Sequence, residues 1–191
     1  MTTLNLETKP VKKISSYQEF PDGWMKIEDD FLNQEKFDEL QNLMMSVEFA
    51  WYFSDVVDYE WKKDKFMFVH LFWMEGAPRS TDFVKVAPIL QKMNPLALWR
   101  IKANLLTKTP NIVENSYHID MLFLKSEKKI KQWTTSIFYI NTNNGYTKFE
   151  NGATVQSVAN RMVTFPSHMK HAGTSCTDEK TRVVINFNYF K

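Results

Sequence analysis

Two types of metal-binding side chain occur close together in the C-terminal half of the chain. His118 and Asp120 are separated by one residue in NSYHIDM, and FPSHMKHAG adds His168 and His171. On a strand, residues two apart point to the same face, about 6.6 Å apart along the chain. An imidazole and a carboxylate on one face can hold one metal ion, so these residues predict a metal site.

A third polar feature is Arg182, near the start of the strongly apolar segment TRVVINFNYF. Strand alternation divides this segment into two faces. One face carries Val183, Ile185, Phe187 and Tyr189, and the other carries Arg182, Val184, Asn186, Asn188 and Phe190. A face with one arginine and two asparagines can line a polar cavity. The strand alone equally allows an arginine that forms a surface salt bridge.

Two histidines and one carboxylate suit a catalytic metal better than a structural one. A closed structural zinc site needs four protein ligands, whereas this donor set leaves coordination positions open, as in non-haem Fe(II) oxygenases. A guanidinium nearby binds a carboxylate through two hydrogen bonds. Together these groups fit 2-oxoglutarate, with its keto-acid end on iron and its far carboxylate on arginine.

The order of these motifs resembles that of the 2-oxoglutarate/Fe(II)-dependent dioxygenases. H-x-D is followed by a distal histidine and an arginine, and the H-x10-R spacing from His171 to Arg182 occurs in their prolyl 4-hydroxylase-like branch. SIFYIN (136–141) resembles the Y-Y-L-N strand of prolyl hydroxylases. NGYTKF (144–149) resembles their G-G-x-T-x-F, with Asn144 in place of the first glycine. RIKANL, YINTNNGYTKFENG and VANRMVTFPS look especially like small oxygenases encoded by marine phages. The resemblance covers roughly residues 50–190.

The resemblance implies a role for individual residues. His118, Asp120 and His171 match the iron ligands, and Arg182 matches the residue that binds the distal carboxylate of 2-oxoglutarate. Tyr139 matches a tyrosine whose hydroxyl helps to hold that carboxylate, and Asn104 is a further candidate for co-substrate contact. In this family the distal histidine is the sixth residue after the phenylalanine of F-P-S. The resemblance therefore selects His171 rather than His168 as the third ligand.

The activity implied by the resemblance is hydroxylation of an unactivated C–H bond, with release of succinate and CO2. The cofactors implied are Fe(II), 2-oxoglutarate as co-substrate and O2, with ascorbate as an accessory reductant. The substrate suggested first is a prolyl residue in a peptide or protein. The alternatives are a free amino acid or small metabolite, or a non-catalytic jelly-roll module that binds metal. A nucleic-acid demethylase is disfavoured. The family members that repair alkylated bases usually have a second arginine a few residues after the first, and no arginine follows Arg182 in this sequence.

Composition narrows the class of protein. The chain has 191 residues, 43% of them hydrophobic and 15% aromatic, which favours a β-rich core. A net charge of +2 is too small to indicate a nucleic-acid-binding protein. The single cysteine, Cys176, excludes an internal disulfide, and the most apolar window, Phe66 to Met74, is shorter than the ~20 residues of a membrane helix. We expect a soluble protein of the reducing cytoplasm, or of the host cytoplasm if it is phage-encoded.

The elements that must position these residues follow from periodicity and turn signals. Apolar spacing predicts a helix over 33–46 with Asn33 as N-cap, and a second over 81–93 that contains Pro88. Residues 51–75 are aromatic-rich and are expected to form short strands and loops. Residues 125–131 are expected to form a solvated loop or, as the alternative, a mobile flap beside an active site. Predicted strands cover 97–107, 112–122, 133–142, 145–150, 154–158, 161–167 and 181–190.

These elements predict a mainly β (α+β) fold. Many short strands indicate a sandwich, barrel or jelly roll, and the family resemblance implies a double-stranded β-helix (jelly roll). We expect a single dioxygenase domain over 1–191: a lead-in over 1–22, flanking helices with aromatic-rich strands and loops over 23–95, and the jelly-roll core over 96–191.

Overall fold

The computed structural model describes residues 14–57, 65–121 and 124–191. The described strands form two antiparallel sheets, and their bounds are β1 (Ser15–Phe20), β2 (Gly23–Glu28), β3 (Tyr52–Ser54), β4 (Met67–Met74), β5 (Ala77–Pro78), β6 (Ala97–Thr107), β7 (Trp133–Tyr139), β8 (Tyr146–Phe149), β9 (Thr154–Gln156), β10 (Arg161–Pro166), β11 (His171–Gly173) and β12 (Thr181–Phe190). The larger sheet has the order β1-β2-β10-β7-β12-β6-β4-β3, with β5 beside β4, and the smaller has the order β11-β8-β9.

The helices lie in the N-terminal half, apart from one short turn. α1 (Gln34–Met44) begins after Asn33, whose side-chain oxygen accepts the Lys36 N–H, which confirms the predicted cap. The prediction of one helix over 81–93 was wrong in detail, because a 3-10 helix (Thr81–Val86) precedes α2 (Ala87–Met93). Pro88 explains the division, since it has no N–H for a helical bond to the preceding turn and is tolerated only in a first turn.

Two apolar clusters hold the sheets and helices together. The first packs α1 and α2 on the outer face of the large sheet and includes Phe37, Leu40, Ile89, Phe138 and Phe187. The second fills the space between the two sheets and includes Ile137, Tyr139, Phe149, Phe165 and Val184. β12 therefore has one face in each layer, which confirms the alternation predicted for this segment. Among the described residues, no helix is long and apolar enough to cross a membrane.

Two other local predictions, for the lead-in and for residues 125–131, need correction. Residues 15–20, expected in a lead-in, form the edge strand β1, which pairs with β2 across a turn at Pro21-Asp22; residues 1–13 lie outside the described part. The mostly exposed side chains of β1 gave no alternating apolar pattern. The expected loop at 125–131 contains the one-turn helix α3 (Glu127–Ile130).

The strand predicted over 112–122 is wrong for its described part, 112–121. That segment pairs with the rest of the protein only through two isolated bridges, Glu114 with Thr174 and His118 with His171. The Val113 N–H of this segment donates to a side chain instead, the Ser175 hydroxyl. Side-chain acceptors of this kind compete with a continuous strand ladder.

Candidate metal centre

The structure brings His118, Asp120 and His171 together between the two sheets. His171 is the first residue of β11, and reciprocal backbone hydrogen bonds of 3.0 and 3.1 Å join it to His118. Nε2 of His118 lies 3.8 Å from Asp120 Oδ1, and Nε2 of His171 lies 4.0 Å from Asp120 Oδ2. The ligand atoms of the three residues lie within 4.8 Å of one another, so they could hold one metal ion.

Backbone carbonyls orient both imidazoles. Nδ1 of His118 is 3.2 Å from the Ser116 carbonyl oxygen, and Nδ1 of His171 is 3.2 Å from that of Met169. An Nδ1–H that donates to a carbonyl leaves the lone pair on Nε2, the arrangement typical of metal-bound histidine. Nε2 of His171 is buried and has no hydrogen-bond partner among the described residues. A buried nitrogen of this kind fits a metal ion.

Asp120 is buried and ionised. Arg100 Nη2 forms a salt bridge with its Oδ1 at 3.1 Å, and Asn188 Nδ2 donates a hydrogen bond to its Oδ2 at 3.0 Å. Burial opposes ionisation, but the Arg100 charge, the two imidazoles and the Asn188 hydrogen bond outweigh it, and the pKa of Asp120 lies well below its usual range. The carboxylate is therefore ready to bind a cation at neutral pH. Sequence reasoning missed Arg100 and did not assign Asn188 to Asp120.

Burial makes the metal-free protein sensitive to acid through His171. Desolvation, followed by the nearby His118, lowers the pKa of His171 to about 4 from an ordinary value of 6.5. Because the unfolded chain takes up the proton first, the stability due to neutral His171 is complete above pH 6.5 and is lost as the pH falls toward 4. We predict that the free energy of unfolding of the metal-free protein falls by about 3 kcal/mol over this window.

Urea unfolding at several pH values between 7.5 and 4 checks this prediction. His171→Asn should lose most of the dependence in this window, whereas the control His168→Asn should keep it. An identical pH dependence in wild type and His171→Asn would contradict the prediction.

A buried guanidinium lies at another part of the same cavity. Arg182 Nε donates to Ser157 Oγ at 2.8 Å, and Nη2 donates to Thr147 Oγ1 at 3.1 Å. Among the described residues, no carboxylate forms a salt bridge with Arg182, and burial lowers its pKa. A buried cation held only by hydroxyl groups is suited to binding an anion from the cavity.

Tyr139 lies behind Arg182. Its ring centroid is 5.6 Å from the Arg182 Cζ atom, and its hydroxyl donates to Thr147 Oγ1 at 2.8 Å. Thr147 lines the cavity together with Arg182, whereas Tyr139 does not. The contacts of Tyr139 therefore fix Thr147 and the guanidinium. Nothing in the sequence pointed to Ser157 as a partner of Arg182.

Asn104 is on β6 and lines the cavity. Its Oδ1 is buried and has no hydrogen-bond partner among the described residues, as is also true of Asn186 Oδ1. The cavity thus holds acceptors that a bound molecule can satisfy. Its lining includes the three candidate ligands, Arg182 and Asn104, together with Val57, Met67, Lys102, Leu106, Asn115, Ile137, Thr147, Gly173, Val184 and Asn186.

The NGYTKF segment lets β8 approach Arg182 closely. A Cβ atom on Gly145 would lie 2.6 Å from the Ser175 carbonyl oxygen and 2.7 Å from Arg182 Cδ, so no larger residue fits there without a shift. Asn144, which departs from the family motif, instead exchanges two hydrogen bonds with Thr177. The departure therefore stabilises a turn and leaves the surroundings of Arg182 intact.

The other two histidines lie elsewhere. His168 Nε2 is 2.7 Å from the Asp22 carbonyl oxygen. His70 is a core residue whose Nδ1 is 2.8 Å from the Ala50 carbonyl oxygen and whose ring packs against Phe49 and Phe72. Of the two histidines in FPSHMKHAG, the structure therefore places His171 beside Asp120.

No protein-family model matches the chain, and no curated protein matches it significantly. Several solved structures are similar. A Trichoplax adhaerens prolyl hydroxylase, solved with a hypoxia inducible factor oxygen degradation domain peptide fragment, has 14% identity and a TM-score of 0.59 over 89% of this chain and 84% of that one. A Pseudomonas putida prolyl-4-hydroxylase has 12% identity and a TM-score of 0.51 over 87% and 92%.

A third similar structure is that of an epimerase. The non-heme alpha ketoglutarate dependent epimerase SnoN from nogalamycin biosynthesis has 14% identity and a TM-score of 0.59 over 87% of this chain and 76% of that one. At these identities the likeness concerns the fold. The chain is mostly antiparallel β-structure, and it has the jelly-roll fold of these hydroxylases and this epimerase.

Proposed function

We propose that this protein is a 2-oxoglutarate- and Fe(II)-dependent oxygenase, built as a single domain, that hydroxylates an unactivated C–H bond. The observation that carries the proposal is one cavity that holds both a His-Asp-His cluster and a buried arginine that has no carboxylate partner in the described part of the chain. The substrate gains one oxygen atom from O2, while the other enters 2-oxoglutarate as it is converted to succinate and CO2.

In this proposal His118, Asp120 and His171 hold Fe(II), and Arg182 binds the far carboxylate of 2-oxoglutarate. Bound iron supplies the oxygen chemistry that couples decarboxylation to hydroxylation. Arg100 and Asn188 keep Asp120 ionised and fixed, because Arg100 forms a salt bridge with one of its oxygens and Asn188 donates a hydrogen bond to the other. Tyr139 and Ser157 position Arg182, and Asn104 offers a free acceptor beside the co-substrate.

The first substrate to consider is a prolyl residue in a peptide or protein, as the motif resemblance suggests. Support comes from the shared fold with two prolyl hydroxylases, one of them solved with a peptide fragment. The epimerase with the same fold supports the alternative of a free amino acid or small metabolite. The phage-like segments further suggest a phage-encoded enzyme that acts in the host cytoplasm, with ascorbate as an accessory reductant.

Succinate formation tests the proposal and separates it from a non-catalytic metal-binding module. The purified protein is loaded with Fe(II) without oxygen and then given 2-oxoglutarate, O2 and ascorbate, with a peptide and metabolite library as substrate. We expect succinate to form only when both Fe(II) and O2 are present, and one library member to gain 16 Da. Metal binding without any succinate would contradict an oxygenase.

A further inference from the structure

Lys102 presents a second cation to the cavity, on the same face of β6 as Arg100 and Asn104. Residues two apart on a strand share a face, and β6 pairs with β12 so that Lys102 lies opposite Asn186. Lys102 lines the cavity that contains His118, Asp120 and Arg182. It also lines an adjoining cavity with Val56, Val57, Met67 and Arg100. Its side chain is therefore placed to meet a molecule that enters beside the metal centre.

The ammonium of Lys102 has no protein counter-charge. Within residues 14–57, 65–121 and 124–191 it forms neither a hydrogen bond nor an ion pair. Asp120, the one acidic residue that lines either cavity in this part of the chain, is already bound by Arg100 and Asn188. Burial lowers the pKa of Lys102 to about 8, and the Arg100 charge adds to this effect. The ammonium form still predominates at neutral pH.

The proposed iron and co-substrate do not remove this imbalance. The two carboxylates of 2-oxoglutarate offset Arg182 and part of the metal charge, and Asp120 offsets Arg100. Lys102 is then left as a half-buried positive charge beside the metal. Burying an unpaired charge is costly, and a cavity with excess positive charge attracts anions. The molecule that completes the site should therefore present a negatively charged group to Lys102.

Asn186 indicates which group of the bound molecule lies next to its negatively charged group. Its Oδ1 is buried without a hydrogen-bond partner among the described residues, directly across the sheet from Lys102. An unpartnered acceptor beside an unpartnered ammonium matches a molecule that has a carboxylate and an adjacent N–H donor. The α-carboxylate and α-amino group of an amino acid have this pattern.

We propose that Lys102 binds a carboxylate of the substrate, with Asn186 accepting a hydrogen bond from a neighbouring N–H group of the same molecule. This inference rests on the proposed function and narrows its substrate class. The carboxylate can be that of a free α-amino acid or that of an acidic residue beside the target in a peptide. A substrate that has no carboxylate near its reacting carbon does not fit.

Matched acid and amide pairs test the inference. The probes are the standard L-amino acids and their primary amides, together with end-capped prolyl peptides with and without a neighbouring glutamate. Two readouts are used: succinate formation by the Fe(II)-loaded protein, and calorimetric binding to the protein loaded with Zn(II) and 2-oxoglutarate. We expect at least one carboxylate probe to bind and to stimulate succinate formation, and its partner without that carboxylate to be about 10-fold weaker or more. A response from the free acids identifies the first source, and a response only from the glutamate peptides identifies the second.

Three variants complete the test. Lys102→Met should weaken binding of the active carboxylate probe about 10-fold or more and leave the binding of its partner without that carboxylate unaffected. Lys102→Arg, which keeps the charge, should restore part of the affinity. Lys108→Met, which changes an exposed lysine just beyond β6, should behave as wild type. Iron content is measured for each variant.

The outcomes are separable. Equal responses to an acid and its amide, unchanged affinity in Lys102→Met, or no response to any carboxylate would overturn the inference. The acid–amide comparison uses the wild type, so it decides the matter even if Lys102→Met does not fold. Failure of the wild type to convert 2-oxoglutarate under every condition would instead overturn the proposed function, while the calorimetric arm would still test carboxylate binding at Lys102.

Discussion

Arg182→Ala should raise the KM for 2-oxoglutarate about 100-fold or more and should leave Fe(II) affinity within a few-fold of wild type. Arg182 is buried, and its partners Ser157 and Thr147 are neutral hydroxyl groups, so the proposed co-substrate carboxylate is its only counter-charge among the described groups. Removing one partner of a buried, hydrogen-bonded charge pair costs about 3 kcal/mol, which corresponds to a factor of roughly 100. Succinate formation as a function of 2-oxoglutarate concentration measures the effect.

Two further variants show whether the loss is specific to Arg182. Arg182→Lys keeps the charge but loses the forked geometry, so it should recover only part of the affinity. Arg79→Ala removes an exposed arginine and should behave as wild type. Circular dichroism and iron content confirm that each variant folds and is loaded. Wild-type succinate formation by folded Arg182→Ala would refute the assignment of Arg182 to the co-substrate.

Asp120→Asn should abolish tight metal binding, with a loss of affinity of about 100-fold or more. The substitution keeps the shape of the side chain but removes the negative charge that a cation needs. It also leaves Arg100, whose Nη2 is 3.1 Å from Asp120 Oδ1, as an unpaired cation facing the metal position. Breaking a buried ion pair costs about 3–5 kcal/mol, so the metal-free variant should also be less stable than wild type.

Metal content after dialysis against micromolar Fe(II), with Mn(II) as an oxygen-stable substitute, measures this loss. Asp38→Asn, which changes an exposed aspartate on α1, is the matched control and should bind metal as wild type does. His171→Ala should also lose the metal, because it removes a second proposed ligand atom, the buried Nε2 that has no hydrogen-bond partner among the described residues. Stoichiometric metal in Asp120→Asn would refute the proposed ligand set.

The sequence was most informative where a long strand has two different buried faces. The alternation of β12 predicted a polar face in the cavity, and the structure places Arg182 and Asn186 there, with Val183, Ile185 and Phe187 in the outer core. The same alternation occurs in RIKANL, where Arg100, Lys102 and Asn104 share a face. Sequence reasoning considered only Asn104 there, although the spacing predicts the other two by the same rule.

Other features could not be read from local patterns because their partners lie far away in the sequence. The pairing of His118 with His171 depends on one isolated bridge, so the segment around H-x-D was wrongly predicted as a strand. Thr147 and Ser157 are short polar residues that acquire a role only when the fold brings Arg182 beside them. β1 is an edge strand with mostly exposed side chains, so it has no apolar periodicity.

A crystal structure of the protein with Fe(II) and 2-oxoglutarate, grown without oxygen, tests the central claim most directly. Anomalous scattering at the iron edge locates the metal independently of any assumption about its ligands. We predict iron within bonding distance of Nε2 of His118, an Asp120 oxygen and Nε2 of His171, with the far carboxylate of 2-oxoglutarate paired with Arg182. Iron bound elsewhere, or 2-oxoglutarate bound without contact to Arg182, would contradict the account.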